Sequence, residues 1–476
     1  MAVSEFTLRE RLHRLFPGIP TQDQLELISE LARYLTSDKK DVFIMRGYAG
    51  TGKTTTISAL VELEKSLNQN PVLLAPTGRA AKVMAGYSKH PAFTIHKYIY
   101  RLQDEGDRGY GFELKHNRKK YTTFIVDEAS MIHDDEAFGQ SGLLADLIQF
   151  VKEDHSNKLI LSGDIAQLPP VHAEVSPALV PAHLNSRYAL SVAGSQLKDV
   201  VRQEKLSGIL ENATLIRNRI ENETTSDAPP LKVNDFDVFS ITGNNLEEYL
   251  ENTINNFGLE GFIIITRGNK SANIYNEQVR RRILYREDML DSGDLLMVVQ
   301  NNYFWDTGVK GDFIANGEII KVQRTTEVEE KYGLKFMDVS VVFADDESEK
   351  QHDVKVLLDV LAQPHASQPY EDRKKLFYAV YNEYLVEDNN KRSALLKVKK
   401  DPYYNALQVK FAYGITCHKA QGGQWPVVFV DHSFFNEDMI DKNYHRWLYT
   451  AVTRATHELY FVNLPAFFEA SVKEEF

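Results

Sequence analysis

The chain has 476 residues, 43% of them hydrophobic, which is too long for one core and predicts about three domains. Its 55 Lys and Arg against 67 Asp and Glu give a net charge of −12, so any contact with phosphates needs a local basic channel rather than a basic surface. The one cysteine, Cys417, excludes a disulfide framework, a cysteine zinc cluster and a cysteine-ligated iron–sulfur centre.

Met1 to Leu15 mixes Glu5, Arg9, Glu10, Arg11 and Arg14 with its apolar residues and lacks the h-region of a signal peptide. Apolar runs such as Phe262-Ile263-Ile264-Ile265 have strand length and fall far short of a membrane span. The expectation is a cytoplasmic protein with no membrane contact. The basic clusters Lys115 to Lys120, Arg280-Arg281-Arg282 and Lys391 to Lys400 read as solvated faces.

In chain order, Thr21 to Leu35 carries Leu25, Ile28, Leu31, Ala32 and Leu35 at helical spacing. Strands are predicted at 42–45, 72–75, 123–126 and 158–162, each apolar on both faces, as buried parallel strands are. A helix over 55–67 follows the first strand. Between 96 and 122 the pattern breaks, with a turn at Asp107-Arg108-Gly109-Tyr110-Gly111, which predicts a small inserted hairpin. A helix around 209–220, a polar loop at Pro229-Pro230, a strand over 262–266 and a helix over 269–284 open a second α/β pattern. Asn316-Gly317 is a hairpin-turn signal, followed by strand-like 318–322, 337–343 and 354–361 and a helix near 372–385. Strands at 407–410, 427–430 and 458–462 then resume the α/β pattern. The aromatic residues Tyr98, Tyr100, Tyr403, Tyr404 and Trp425 read as core or surface scatter ahead of base-stacking residues.

The most specific signal is Gly47-Tyr48-Ala49-Gly50-Thr51-Gly52-Lys53-Thr54, a complete G-x-x-x-x-G-K-T phosphate loop between a strand and a helix. Its glycines let the backbone close around phosphate oxygens, and the helix start supplies free N–H groups. Gly47, Ala49, Gly50, Thr51, Gly52, Lys53, Thr54 and Thr55 are therefore the expected nucleotide cradle. Lys53 would reach the terminal phosphates and Thr54 would hold Mg²⁺. Phe124-Ile125-Val126 ends in Asp127 and Glu128, two carboxylates at a strand's C-terminal edge. Asp127 is the expected second Mg²⁺ holder and Glu128 the group that orients and deprotonates the attacking water. Gln167, in Gly163-Asp164-Ile165-Ala166-Gln167-Leu168-Pro169-Pro170, offers an uncharged amide to the γ-phosphate.

These segments, with Val200-Val201-Arg202-Gln203, resemble motifs II, III and IV of superfamily 1 helicases. Ala75-Pro76-Thr77-Gly78-Arg79 resembles motif Ia, and Thr94-Ile95-His96 motif Ib. Thr416-Cys417-His418-Lys419-Ala420-Gln421-Gly422 resembles motif V, and Tyr449-Thr450-Ala451-Val452-Thr453-Arg454 motif VI. The order is collinear over nearly the whole chain. Gln-Leu-Pro-Pro in motif III and the Asn-Gly turn before motif V are most similar to the RecD and Dda branch, which moves 5′→3′ on single-stranded DNA.

The resemblance implies two RecA-like P-loop motor domains. The first spans 1–180, with a hairpin insertion at about 98–121. The second is split into 181–310 and 405–476 around a β-rich, SH3-like insertion at 311–404. It implies ATP and Mg²⁺ as cofactors, and single-stranded DNA and duplex junctions as partners of a monomer. Gln24 corresponds to the glutamine that reads adenine, and Arg202 and Arg454 to two arginines that reach the γ-phosphate. Gly422 and Gln424 go with the nucleotide, although relatives often carry glutamate at the latter position. Pro76, Thr77, Thr94, His96, Thr416 and His418 match strand-contacting positions, and segment 101–121 is the candidate strand-separating wedge. Two alternatives stand beside the helicase: a translocase that strips proteins from single strands, and a nucleic-acid-binding module whose ATPase has decayed. Cys417 is read as an apolar filler with no nucleophilic role.

Overall fold

The computed structural model describes residues 4–37, 39–104, 110–134, 142–170, 173–199, 207–305, 313–344, 350–365 and 367–468. Eight strands form in the first part: β1 Val42–Gly47, β2 Val72–Ala75, β3 Ala92–Thr94, β4 Tyr100–Asp104, β5 Tyr110–Leu114, β6 Thr123–Val126, β7 Lys158–Gly163 and β8 Val192–Leu197. Six of them make an all-parallel sheet in the order β3-β2-β6-β7-β1-β8. Every residue of β2 and β6 is buried, which is why these strands read as unbroken apolar runs. β4 and β5 pair antiparallel as the expected hairpin, whose 105–109 tip lies outside the described residues.

β8 lies beyond the expected limit of the first motor at residue 180, yet it pairs with β1 along its whole length. Val-Ala-Gly-Ser-Gln-Leu has no apolar run, because an edge strand is covered on fewer sides. Its glycine is required, since a Cβ on Gly194 would stand 2.6 Å from the Ile44 carbonyl oxygen of β1.

The second part contributes β9 Val238–Ile241 and β10 Phe262–Thr266, and then a different kind of sheet: β11 Leu295–Val298, β12 Ile319–Thr325, β13 Glu329–Lys331, β14 Leu334–Phe343, β15 His352–Leu357 and β16 Leu407–Phe411. These run β12-β11-β16-β15-β14-β13, and β12 also pairs with β14, so the sheet closes into a small barrel. All its pairings are antiparallel except β15 with β16. β17 Gly414–Thr416, β18 Trp425–Asp431 and β19 Ala455–Val462 then complete a second all-parallel sheet, β17-β10-β18-β19-β9. The fold is thus mixed α/β with two RecA-like parallel sheets, as expected.

The barrel departs from the expected limits of 311 and 404 on both sides. β11 precedes them and β16, expected in the motor sheet, follows them. The apolar pattern of 407–410 gives a strand but does not say which sheet accepts it. Asn316-Gly317 does turn, with Gly317 at φ 89°, but Ile314 before it bridges to Asn302 while β12 after it pairs with β11 and β14. It is a turn and not a simple hairpin. The expected strand over 354–361 stops at Leu357 and becomes a helical turn, Asp359–Ala362. The expected helix over 269–284 is α-helical to Gln278 and widens into a π-turn at Val279–Ile283.

That π-turn presents Arg280, which is buried and not solvated as expected. Its guanidinium donates to Asp294 at 3.1 Å and Asp291 at 2.8 Å, and lies 4.4 Å from the Phe411 ring of the barrel. Asp294, also buried, takes a further bond from Arg286 at 2.6 Å and from the Tyr413 hydroxyl at 2.9 Å. This network fastens the barrel to the second parallel sheet. No helix among the described residues is long and apolar enough to cross a membrane.

Removing one side of a buried charge network leaves the other uncompensated. Asp294→Ala is therefore expected to cost about 3–5 kcal/mol, read from the urea midpoint of the transition that unfolds the barrel and second sheet. A midpoint unchanged from wild type would show that Asp291 alone satisfies both arginines.

Candidate active site and strand-binding edge

β1 ends at Gly47 and the chain turns into the helix Lys53–Ser66. Gly50 and Gly52 sit at φ 72° and 93°, where glycine is favoured. Gly52 caps the helix with no side chain, so the first backbone N–H groups remain for an anion. The Lys53 ammonium donates to the carbonyls of Gly47 at 2.7 Å and Tyr48 at 2.9 Å, which holds it over the loop. Thr51 donates its hydroxyl to the Tyr48 carbonyl at 2.8 Å. Thr54 and Thr55 occupy the first helical turn behind Lys53.

Gln24 braces this loop. Its Oε1 accepts from the Thr21 N–H at 3.0 Å, closing a capping box on helix Gln22–Thr36, and its Nε2 donates to the Thr51 carbonyl at 3.1 Å. A Cβ on Gly52 would collide with that amide. One donor and one lone pair of the amide are left, and these are what could meet a base.

Asp127 follows β6 and is oriented by two hydroxyls, Tyr87 onto Oδ2 and Ser162 onto Oδ1, each at 2.8 Å. Burial and the charge of Asp127 push the Tyr87 hydroxyl far above the ordinary phenol range, so it stays a donor. Neither Tyr87 nor Ser162 was legible as a site residue, because nothing local in the sequence marks a partner on the next strand or on a helix packed over it. Glu128 takes φ 53°, a left-handed conformation uncommon for a side chain of this size. Burial raises its carboxyl, Arg454 opposes that, and Asp127 adds to the rise. A raised carboxyl suits a general base.

Arg454 comes from the second parallel sheet and is buried. It donates to the carbonyls of Thr450 at 3.0 Å and Gly423 at 3.2 Å, and its NH1 lies 3.9 Å from Glu128 Oε1. The loop after β7 is gripped from the same side: Leu168 N–H donates to the Thr450 hydroxyl at 2.8 Å, and Gln421 donates to the Leu168 carbonyl at 2.6 Å. Gln167, on that loop, is buried with its Oε1 unpartnered among the described residues. A buried amide oxygen in that condition fits a ligand that supplies a donor. Arg202 lies outside the described residues.

These residues fit a nucleoside triphosphate with Mg²⁺. Lys53 and the helix start would hold the phosphates, and Thr54 and Asp127 the metal. Among the described residues no group of three or more His, Cys, Asp or Glu gathers as a metal cage.

The second group of expected residues lies further along the same C-terminal edge of the first sheet, with others at the end of β17 in the second. Ala75 of β2 is in register with Thr94 of β3, so Pro76-Thr77 and Ile95-His96 leave the sheet side by side. Thr77 and Thr94 cap the helices that follow, accepting from Ala80 at 3.2 Å and Lys97 at 3.1 Å. Thr416 ends β17 in register with Thr266 and leads to the exposed His418. Gly422 brings the two edges together, since a Cβ there would stand 3.2 Å from the Thr77 hydroxyl. Arg79 donates to the Gln424 carbonyl at 3.1 Å, and its guanidinium lies 3.7 Å from the Trp425 ring, which is core. The contacts that position Gly422 and Gln424 are therefore with motif Ia. Gly423 between them faces the cleft through its bond from Arg454. Cys417 is buried and its thiol, raised by burial, donates to the Trp447 carbonyl at 3.4 Å, as a filler should. The barrel reaches this edge too, with Glu318 accepting from Lys97 at 2.9 Å.

Two predictions follow from the geometry around the carboxylates and His96. Glu128→Gln keeps the shape and loses the base, so it should retain nucleotide and turn over at least about a hundredfold more slowly, measured by phosphate release. Near wild-type turnover would assign the base elsewhere. Burial, with His133 adding to it, lowers the His96 ring to about 4. As pH falls the unfolded chain takes up this proton first. The stability from the neutral ring is full above about pH 6.5, the ordinary imidazole value, and is lost as pH falls toward 4. His96→Gln should flatten the fall in urea midpoint between those limits, and an unchanged slope would place the ring in water.

Two family models match the chain: an AAA domain over residues 22–227 and a UvrD-like helicase C-terminal domain over 411–462. An uncharacterized protein of Methanocaldococcus jannaschii is 38% identical over 28% of this chain and 12% of its own. The ATP-dependent RecD2 DNA helicase of Deinococcus radiodurans is 32% identical over 32% of this chain and 19% of its own. The match thus spans less than a fifth of either curated relative. The Pif1 helicase from Bacteroides, solved in complex with ADP-AlF3 and ssDNA, aligns over 94% of this chain and 93% of that one at 16% identity, with a TM-score of 0.44. With the first model on the sheet that holds the phosphate loop, the second on the segment that delivers Arg454, and the motifs in order between them, the chain is similar to RecD-like superfamily 1 helicases.

Proposed function

We propose that the protein is an ATP- and Mg²⁺-dependent DNA helicase that moves 5′→3′ on single-stranded DNA and separates duplex at junctions, acting as a monomer. The observation that carries this reading is the meeting of two sheets in one site. Lys53, Asp127, Glu128 and Gln167 come from the first, and Arg454, 3.9 Å from Glu128, from the second. An arginine shared this way makes closure of the two halves depend on the γ-phosphate between them. Hydrolysis removes that phosphate and reopens the cleft.

The strand-binding edge runs from Thr77, Thr94 and His96 on one motor to Thr416 and His418 on the other, so opening and closing changes the spacing of two grips. We assign the first motor to the parallel sheet that ends with β8, with the hairpin insertion at about 98–121 and its segment 101–121 as wedge. The second motor is split around the barrel, which takes the place of the SH3-like insertion. Breaking one base-pair step costs about 1.4 kcal/mol, well within what a nucleotide supplies, so coupling sets the yield. DNA as substrate draws support from the RecD2 DNA helicase relative, and the 5′→3′ direction from the resemblance of the Gln167-Leu168-Pro169-Pro170 motif to the RecD and Dda branch.

A duplex with a 5′ single-stranded tail should be unwound with ATP and Mg²⁺, and one with only a 3′ tail should not, in a strand-displacement assay. Efficient unwinding from the 3′ tail alone would overturn the direction. Strong DNA-stimulated hydrolysis with no displacement from either tail would establish the translocase instead, and absence of hydrolysis the decayed module.

A further inference from the structure

Tyr449 is buried in the helix Lys442–Val452 of the second sheet, yet both of its hydroxyl bonds go to the first. The oxygen accepts from the Ala49 N–H of the phosphate loop at 2.9 Å, and the proton goes to Asp164 Oδ2 at 2.6 Å. Asp164, also buried, turns its other oxygen to the Ala166 N–H at 2.9 Å, one residue before Gln167. Burial, with the charge of Asp164, raises the Tyr449 phenol well above its ordinary range, so the hydroxyl remains a donor. The next residue, Thr450, holds Leu168 with its side chain and Arg454 with its carbonyl. One turn of helix therefore touches the phosphate loop, the Gln167 loop and the arginine.

We propose that Tyr449 is a positioning residue for hydrolysis: its hydroxyl fixes the register of the arginine-bearing helix against the phosphate loop, and so sets where Arg454 stands relative to Glu128 and the γ-phosphate. The alternative for a buried tyrosine is simple core packing, with its hydroxyl paired wherever convenient. Core packing does not account for a hydroxyl that spends both bonds across a boundary between two sheets. Nor does it account for one that takes a phosphate-loop N–H as donor. Displacement of a catalytic group by about 1 Å can cost on the order of a hundredfold in rate, so a hydroxyl acting at a distance through Arg454 has a measurable role.

The inference rests on the ATPase reading above, and the test keeps the two apart. Tyr449→Phe keeps the ring and removes the hydroxyl. With saturating ATP and single-stranded DNA it should lower kcat at least tenfold while KM for ATP stays within about threefold. In an Arg454→Ala background the same change should cost less than about twofold, because Tyr449 acts through that arginine. A packing role would cost the same in both backgrounds. Asp164→Asn, which alters the acceptor and leaves the ring in place, should repeat the pattern and serves if Tyr449→Phe does not fold. Wild-type protein without DNA-stimulated hydrolysis would remove the ATPase reading itself. An active wild type with Tyr449→Phe within twofold of it, or with equal losses in both backgrounds, would overturn the inference alone.

Discussion

A guanidinium cannot be left in a closed cleft without an anion, and this constraint organises the molecule. Arg454 is buried against Glu128, but its own bonds go to carbonyls of its own half, so the charge is only partly met at 3.9 Å. The carboxylate opposite is raised by burial and held by a backbone in the left-handed region. Two groups that each lack a close ionic partner face each other near the Lys53 ammonium. A γ-phosphate held there would meet the charges of the arginine and the lysine together.

The motor elements follow from this requirement. The phosphate loop, the carboxylate pair and the Gln167 loop sit at the C-terminal ends of β1, β6 and β7, which are neighbours in the sheet though far apart in the chain. Parallel strands put all such ends on one edge. Thr77, just past β2, and Thr94, which ends β3, lie on the same edge further along. The positions expected to meet nucleotide and nucleic acid thus share one line of loops, and Tyr87 joins the helix after β2 to Asp127.

Much of this was legible in the sequence, and what was not has physical causes. The phosphate loop, the acid pair and the order of motifs survive because local chemistry fixes them. Glycines at φ 72° and 93° and a strand ending in two acids announce themselves. β8 did not, since an edge strand need not be apolar, and β16 was found as a strand but placed in the wrong sheet, because pairing is not a local property. Tyr449, Tyr87 and Ser162 were invisible as site residues for the same reason: a hydroxyl's partner is set by tertiary packing. Of the arginine cluster expected to face solvent, Arg281 and Arg282 do so, while Arg280 is buried because the acids at 291 and 294 fold back on it.

The barrel's attachment has a mechanical consequence. The chain enters it at Leu295 and leaves it at Ala412, and these two residues are hydrogen-bonded to each other at 2.9 Å. Two crossings about one strand spacing apart, near 4.8 Å, define a line and not a point. Such an attachment resists twisting more than a single crossing would, and the Arg280–Asp294 network braces it from the side of the second sheet. The turn that carries Glu318 is tied to Lys97 of the first part. The barrel is thus anchored to both parallel sheets and bridges them.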